Sequence, residues 1–346
     1  MVAKDQNFKI IFKGCLEFGN EKSYQKVFKM YERRIENYYK TDVLFNEEQL
    51  FNEEETCVNL PRVVVQSSLK KWKGTVNLFE YLAQFAVAGQ MTGWLIDSGK
   101  ILEHAIIEPH SDKMAVKAFR KGRELVQKEG KEEEAMNALN TAIRKYERHS
   151  QAYERRGFVN YQLKNYNDAL YDFTKSINIY QNNPDPYYGR ANIYILKDEL
   201  DKAIQDLDNC IKKSIPLQPI YWKARRIKGE CLAKTGDFQG ASLEFKLFTK
   251  RKFVAGDSNN KWKKYVLTRY GQTLLELGNY QEAVAAFNEA VQLEQATAEK
   301  VLESDPLLYR GIALQKAGKK GFEKDWKKAA KLGSEKAAEL METYAV

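Results

Sequence analysis

A repeat constrains this chain more than any other feature. The segments RRGFVNYQLKNYNDALYDFTKSI, GRANIYILKDELDKAIQDLDNCI, IKGECLAKTGDFQGASLEFKLF and RYGQTLLELGNYQEAVAAFNEAV follow one pattern in register. A small residue (Gly157, Ala191, Gly229, Gly271) stands twelve positions before an alanine (Ala169, Ala203, Ala241, Ala283). A large apolar residue follows that alanine by four positions, at Phe173, Leu207, Phe245 and Phe287. The alanines recur at intervals of 34, 38 and 42 residues. A period of this size marks an array of stacked units, because one such unit cannot bury its apolar stripe alone.

Each unit reads as a helical hairpin. Apolar residues recur at helical spacing, a polar turn such as KNYND, KDELD, TGDFQ or LGNYQ intervenes, and a second apolar-periodic segment follows. The small residue lets the two helices approach closely, and the aromatic or leucine after the alanine fills the groove between neighbouring units. With a proline near the unit end at Pro184 and Pro216, this pattern resembles the tetratricopeptide repeat. Two weaker copies flank the four. Upstream, AFRKGRELVQKEGKEEEAMNALNTAI supplies Ala135 and Leu139; downstream, YRGIALQKAGKKGFEKDWKKAAKLG supplies Gly311, Gly318 and Trp326, with Phe322 near the alanine position. SEKAAELMETY then reads as a solvating cap helix. The resemblance covers residues 113–346 and implies an all-α, right-handed superhelical solenoid of about six helical hairpins. Insertions at IPLQPI and KRKFVAGDSNNKWKK are expected to lengthen helices or loops there.

Residues 1–112 carry no repeat and read as a small α+β domain of a type their sequence does not identify. FKIIF and LPRVVVQ read as strands, the three valines favouring a buried pleated position. NEKSYQKVFKMYERRIENYY repeats apolar residues at helical spacing, and TVNLFEYLAQFAVAGQM reads as a buried helix opened by Thr75 as its cap. GWLIDSGKILEHAIIEP reads as a β-hairpin across Asp97-Ser98-Gly99.

Charge separates the same two regions. The whole chain carries a net +9, but residues 1–112 hold 14 basic and 16 acidic residues, so the basic excess belongs to residues 113–346. With 41 Lys against 15 Arg, the balance speaks against base or phosphate readout, which favours the guanidinium fork, and nucleic acid is not the expected partner. A hydrophobic fraction of 43% and a mean hydropathy of −0.60 exclude both disorder and a membrane protein. Cys15, Cys57, Cys210 and Cys231 form no CxxC pair, so no metal, cofactor or disulfide framework is expected. The chain reads as cytoplasmic, or assembled in a cytosol as part of a particle.

In the family that the repeats resemble, the first helix of each hairpin lines the binding groove. Its outward positions are Gln151, Glu154, Phe158 and Tyr161; Tyr188, Asn192 and Ile195; Lys223, Arg226 and Glu230; and Tyr265, Thr268 and Gln272. Aromatics mixed with polar groups suit an extended peptide or a helix. Lys223, Arg225, Arg226 and Lys228, with Lys261, Lys263, Lys264 and Arg269 in the next unit, suit an acidic segment or serve as a solvated face. The carboxylate clamp of chaperone-binding members is not reproduced: its positions read Glu154, Phe158, Gly189, Lys223 and Ile227, so heat-shock chaperone tails are disfavoured. Phe158, Tyr161, Tyr188, Asn192, Lys223, Arg226, Tyr265 and Arg269 are therefore the candidate partner-binding residues of a non-enzymatic scaffold. Two alternatives remain open: a structural subunit of a large multi-subunit assembly such as a virion, and an enzyme with Cys57 and His104 or His110 in its N-terminal domain.

Overall fold

The computed structural model describes residues 7–254, 256–294 and 302–344. The chain divides into two compact units, Met1–Asn182 and Asn183–Val346.

In the first unit, alternating apolar residues build the strands β1 (Asn7–Glu17), β3 (Cys57–Ser68), β4 (Ala88–Asp97) and β5 (Lys100–Ile107). The two-residue β2 (Phe51–Asn52) completes a five-stranded sheet of order β2-β3-β1-β4-β5, with every neighbouring pair antiparallel. Helices α1 (Glu21–Arg34), α2 (Glu47–Leu50) and α3 (Leu69–Ala83) are contributed between the strands. Phe12 packs against Trp72, Phe79 and Phe45 at ring separations of 4.9, 5.5 and 5.9 Å, so aromatic burial fastens the helices to one face of the sheet.

Three local expectations are corrected. Ser68, not Thr75, caps α3 by accepting the Lys71 N–H; Thr75 lies inside the helix and accepts the Leu44 N–H at 3.0 Å. That helix stops at Ala83, and Ala88–Met91 join β4, where Gly89 at φ +100° pairs with Leu16 and cannot continue a helix. Val64 is 51% exposed, because period-two alternation turns it away while Val63 and Val65 pack toward the core. The hairpin across Asp97, Ser98 and Gly99 forms, with Ser98 and Gly99 both at positive φ.

The remaining elements pair as hairpins. The first unit holds α4 (Met114–Leu125) with α5 (Glu132–Lys145), and α6 (Ser150–Gln162) with α7 (Tyr166–Ile179). The second holds α8 (Asp185–Leu196) with α9 (Leu200–Lys213), α10 (Pro219–Lys234) with α11 (Phe238–Lys250), and α12 (Lys263–Glu276) with α13 (Tyr280–Gln292). It also holds α14 (Asp305–Lys316) with α15 (Phe322–Lys331), and the final α16 (Glu335–Thr343), capped by Ser334. The chain is thus an α+β region followed by a helical-repeat solenoid. Both insertions enter the connections before α10 and α12, the second as a loop with a single 3-10 turn.

Packing explains the repeat signature. A methyl group on Gly229 would sit 2.6 Å from the Phe245 ring, and one on Gly271 2.5 Å from the Phe287 ring, so the second helix's aromatic excludes any Cβ opposite it. The fully buried alanines Ala169, Ala203, Ala241 and Ala283 allow the same close approach from the other helix.

One feature of the interior escaped the sequence reading. The residue before the small position is a cation that reaches an acid three positions after the alanine. Arg156 grips Asp172 at 2.6 and 3.0 Å, Arg190 grips Asp206 at 2.7 and 2.8 Å, and Arg310 grips Asp325 at 2.5 and 2.6 Å. Lys228 bonds Glu244 at 2.9 Å. Several of these cations also reach back to the preceding hairpin: Arg156 to Asn140 at 2.7 Å, Lys228 to Asp208 at 2.7 Å and Arg310 to Asn288 at 3.0 Å. Each bond ties one hairpin to the hairpin before it within the same unit.

Candidate functional site

Within the first unit the helices carry the sheet directly. The Tyr146 hydroxyl donates to the buried Glu17 carboxylate, whose pKa burial pushes up, and Arg148 stands 3.9 Å away. The Gly89 N–H donates to Gln151 Oε1 at 3.2 Å. Gln151 is therefore engaged by β4, and Glu154 is buried beside Arg155 at 3.6 Å, so neither presents a free groove surface. Phe158 and Tyr161 remain: Phe158 is 39% exposed, and its ring lies 6.4 Å from that of Tyr161, which in turn lies 6.0 Å from Tyr166. They form an accessible aromatic cluster one turn beyond the covered end.

The second unit carries the other candidates on the first helices α8, α10 and α12. Asn192 Nδ2 donates to the Tyr188 carbonyl at 2.9 Å on α8. On α10, Arg226 pairs with Glu230 at 2.8 Å, and its guanidinium lies 3.9 Å over the Trp262 ring. This pairing, with only 7% exposure, makes Arg226 a structural cation rather than a free one. Burial and the neighbouring Glu230 push the Tyr265 hydroxyl up to about 12, so it stays protonated as a donor. Tyr188 is likewise raised by burial, with Arg226 close enough to oppose the shift. Arg269 donates to Gln272 Oε1 at 2.7 Å and borders a cleft of about 200 Å³ shared with Thr273, Glu276, Phe238 and Tyr309. The structure thus joins Tyr188, Asn192, Arg226 and Tyr265 into one polar network with Glu230 and Trp262. Trp262 and Tyr309 were missed because they lie outside the repeat's groove positions as read from the sequence; the Arg226 and Glu230 spacing of four was a legible signal of their pairing.

The basic run is largely spent internally. Arg225 and Lys228 both bind Glu244, Arg225 also donates to the Tyr221 hydroxyl at 2.8 Å, and Lys264 is buried. Lys223 is half-buried and Lys261 exposed.

The catalytic alternative fares differently. Cys57 sits buried on β3 beside Glu55, and His104 lies on β5 with its ring stacked 5.2 Å from Trp94. Strands β1 and β4 separate them, a gap of about 14 Å at ordinary strand spacing, and His110 lies in the loop after β5. The proposed thiol and base are not neighbours.

Paired helices in register, joined through small residues and lined along their first helices by aromatic and polar groups, define a helical-repeat protein that serves as a protein–protein interaction scaffold. Residues 184–212 and 265–296 each match tetratricopeptide repeat models. Among solved structures, a tetratricopeptide repeat protein called YrrB, described as having an unusual peptide-binding site, is 15% identical with a TM-score of 0.51; the match covers 60% of this chain and 99% of that one. PilF of Pseudomonas aeruginosa is 15% identical with a TM-score of 0.49, covering 68% of this chain and 93% of that one. No curated protein matches the sequence. At this identity the likeness to YrrB speaks for the fold alone. The chain therefore carries tetratricopeptide repeats at these two segments. Among the described residues no helix is long and apolar enough to cross a membrane.

Proposed function

We propose that the protein is a non-enzymatic adaptor that holds an extended acidic segment of a partner protein along the first helices of α8/α9, α10/α11 and α12/α13. The observation that carries this reading is the preassembled network of Tyr188, Asn192, Arg226, Glu230 and Tyr265, which orders the groove before a partner arrives. Preorganised aromatic and polar groups lower the entropic cost of binding. Lys223 and Arg269 supply positive charge beside this network, Lys223 half-buried and Arg269 retaining donors beyond its one bond to Gln272. Phe158 and Tyr161 offer a second, aromatic contact in the first unit.

A nucleic-acid role is disfavoured, because Arg225, Arg226 and Lys228 are held by carboxylates of the chain itself. A cytoplasmic setting is favoured by four buried cysteines, all free thiols. The incomplete clamp still argues against chaperone tails.

The test is affinity purification of the full chain from its native source, with mass spectrometry, beside a Lys223→Glu/Arg269→Glu variant. Partners should co-purify with the parent chain and be depleted by the variant. A partner set unchanged by both reversals would remove this groove from the function.

A further inference from the structure

The hairpin α4/α5 keeps the cation of the charged hairpins but lacks its acid. Lys121 stands where Arg156, Arg190, Lys228 and Arg310 stand, directly before the small residue, here Gly122. The acid position is Ala138. In α6, α10 and α14 that cation reaches an acceptor on the hairpin before, at Asn140, Asp208 or Asn288. The chain ahead of α4 is a strand and a loop, so no hairpin precedes Lys121. What lies over this face instead is an open cleft of about 460 Å³, lined by Met114, Lys117, Ala118 and Lys121 of α4 and by Glu134, Asn137, Ala138 and Thr141 of α5, with Glu134 paired to Lys131 at 2.6 Å. Met114 is 57% exposed there.

A matching surface ends the chain. On α16, Ala337 turns inward with Leu340 and Met341, packing near Trp326. Glu335, Ala338, Glu339 and Glu342 are exposed and share one helical face by their spacing. This face presents acids around a small residue, and the α4 side of the cleft presents Lys117 and Lys121 beside apolar residues, while the acid on the α5 side, Glu134, is paired with Lys131. Both are exposed in the single chain.

We infer that the α4/α5 cleft is a docking site for a second copy of this chain, filled by the acidic face of its α16. Ala338 enters over Met114 and Ala118, and Glu339 supplies the acceptor for Lys121 that the preceding hairpin supplies elsewhere. The contact repeats the stacking used between hairpins within each unit. Because different surfaces meet, association is heterologous and yields a series of oligomers rather than a single two-fold dimer.

Sedimentation velocity of the full chain across the micromolar range tests this. Average mass should rise with concentration and fall as salt is added, since exposed charges are screened. Lys121→Glu and Glu339→Lys should each weaken association about tenfold, and the double variant should restore it. A monomer at every concentration overturns the inference, as does association indifferent to Lys121→Glu. A chain monomeric alone but cross-linked through Lys121 to a different protein assigns the cleft to a foreign helix and equally overturns self-assembly.

Discussion

Hairpins α6/α7, α8/α9 and α14/α15 close on a buried carboxylate and guanidinium, whereas α12/α13 places Tyr270 and Ala286 at the same two positions. Both solutions accept a small residue facing a large apolar one, so close helix approach sets the hairpin and the ion pair is added to it. The Tyr270 hydroxyl still bonds toward Lys246 on the preceding hairpin, which preserves the link between units without a buried charge pair. A desolvated ion pair adds little net stability over an apolar pair of similar volume, but a lone buried ion is costly. The charged hairpins are therefore expected to be sensitive to losing one partner and indifferent to losing both.

The largest predicted effect comes from Asp325→Ala. It leaves Arg310 mostly buried without its carboxylate and should cost about 3–5 kcal/mol in urea denaturation or in hydrogen exchange of α14 and α15. Arg310→Met combined with Asp325→Leu should return stability to within about 1 kcal/mol of the parent. Equal losses in the single and double variants would contradict this reading of the charged hairpins.

A buried ionisable group without a charged partner sharpens the contrast. His149, 1% exposed, packs 4.5 Å from the Phe119 ring, and its Nδ1 accepts the Ala152 N–H at 3.3 Å. Burial lowers its pKa to about 3. Because the folded value lies below the ordinary value of about 6.5, His149 leaves stability intact above that pH and withdraws it as pH falls toward 3. At pH 5 the loss should reach about 2 kcal/mol. His104, lowered by burial to a lesser degree, acts in the same direction, so the variant must isolate the site. His149→Asn keeps an acceptor for Ala152 and should flatten the stability profile between pH 6.5 and 5; an unchanged slope would place the acid sensitivity elsewhere.

A third effect addresses what all the hairpins share. Gly271→Ala should cost about 1–2 kcal/mol, since its methyl group meets the Phe287 ring at 2.5 Å in a fully packed contact. Thermal denaturation of Gly271→Ala alone and with Phe287→Leu would separate overpacking from helix propensity, because only overpacking is relieved by the smaller partner.

The array was legible because its signature is steric and local: Gly229, Ala241 and Phe245 are needed at fixed spacing whatever the unit binds. The strands and the 97–99 turn were legible through alternation and turn chemistry. The interior ion pairs were not, since Arg156 and Asp172 look like ordinary surface charges until two helices face each other. For the same reason Lys223, Arg225, Arg226 and Lys228 read as one basic patch, while the fold pairs Arg225 and Lys228 with Glu244 and Arg226 with Glu230. The engagement of Gln151 depends on where β4 meets α6, a contact between residues 62 positions apart that no periodicity reports.

The smallest effect lies in the turn between paired helices, where charged and uncharged hairpins alike need a left-handed residue. Gly236, Gly278 and Gly318 supply it at φ +84°, +73° and +66°, while Lys164 and Asp198 adopt φ +62° and +59° at the equivalent positions. Aspartate tolerates this conformation through local hydrogen bonding; lysine, with a Cβ and no such group, bears the steric cost of about 1–2 kcal/mol. Lys164 is exposed, so replacing it removes backbone strain and little packing. Lys164→Gly should therefore raise stability by about 0.5–1 kcal/mol, the left-handed penalty less the entropy that glycine adds to the unfolded chain. Gly278→Lys should lower stability by a similar amount. If both substitutions proved destabilising, the turn would be held by the lysine side chain rather than by its backbone angle, and the equivalence of the five turns would fail.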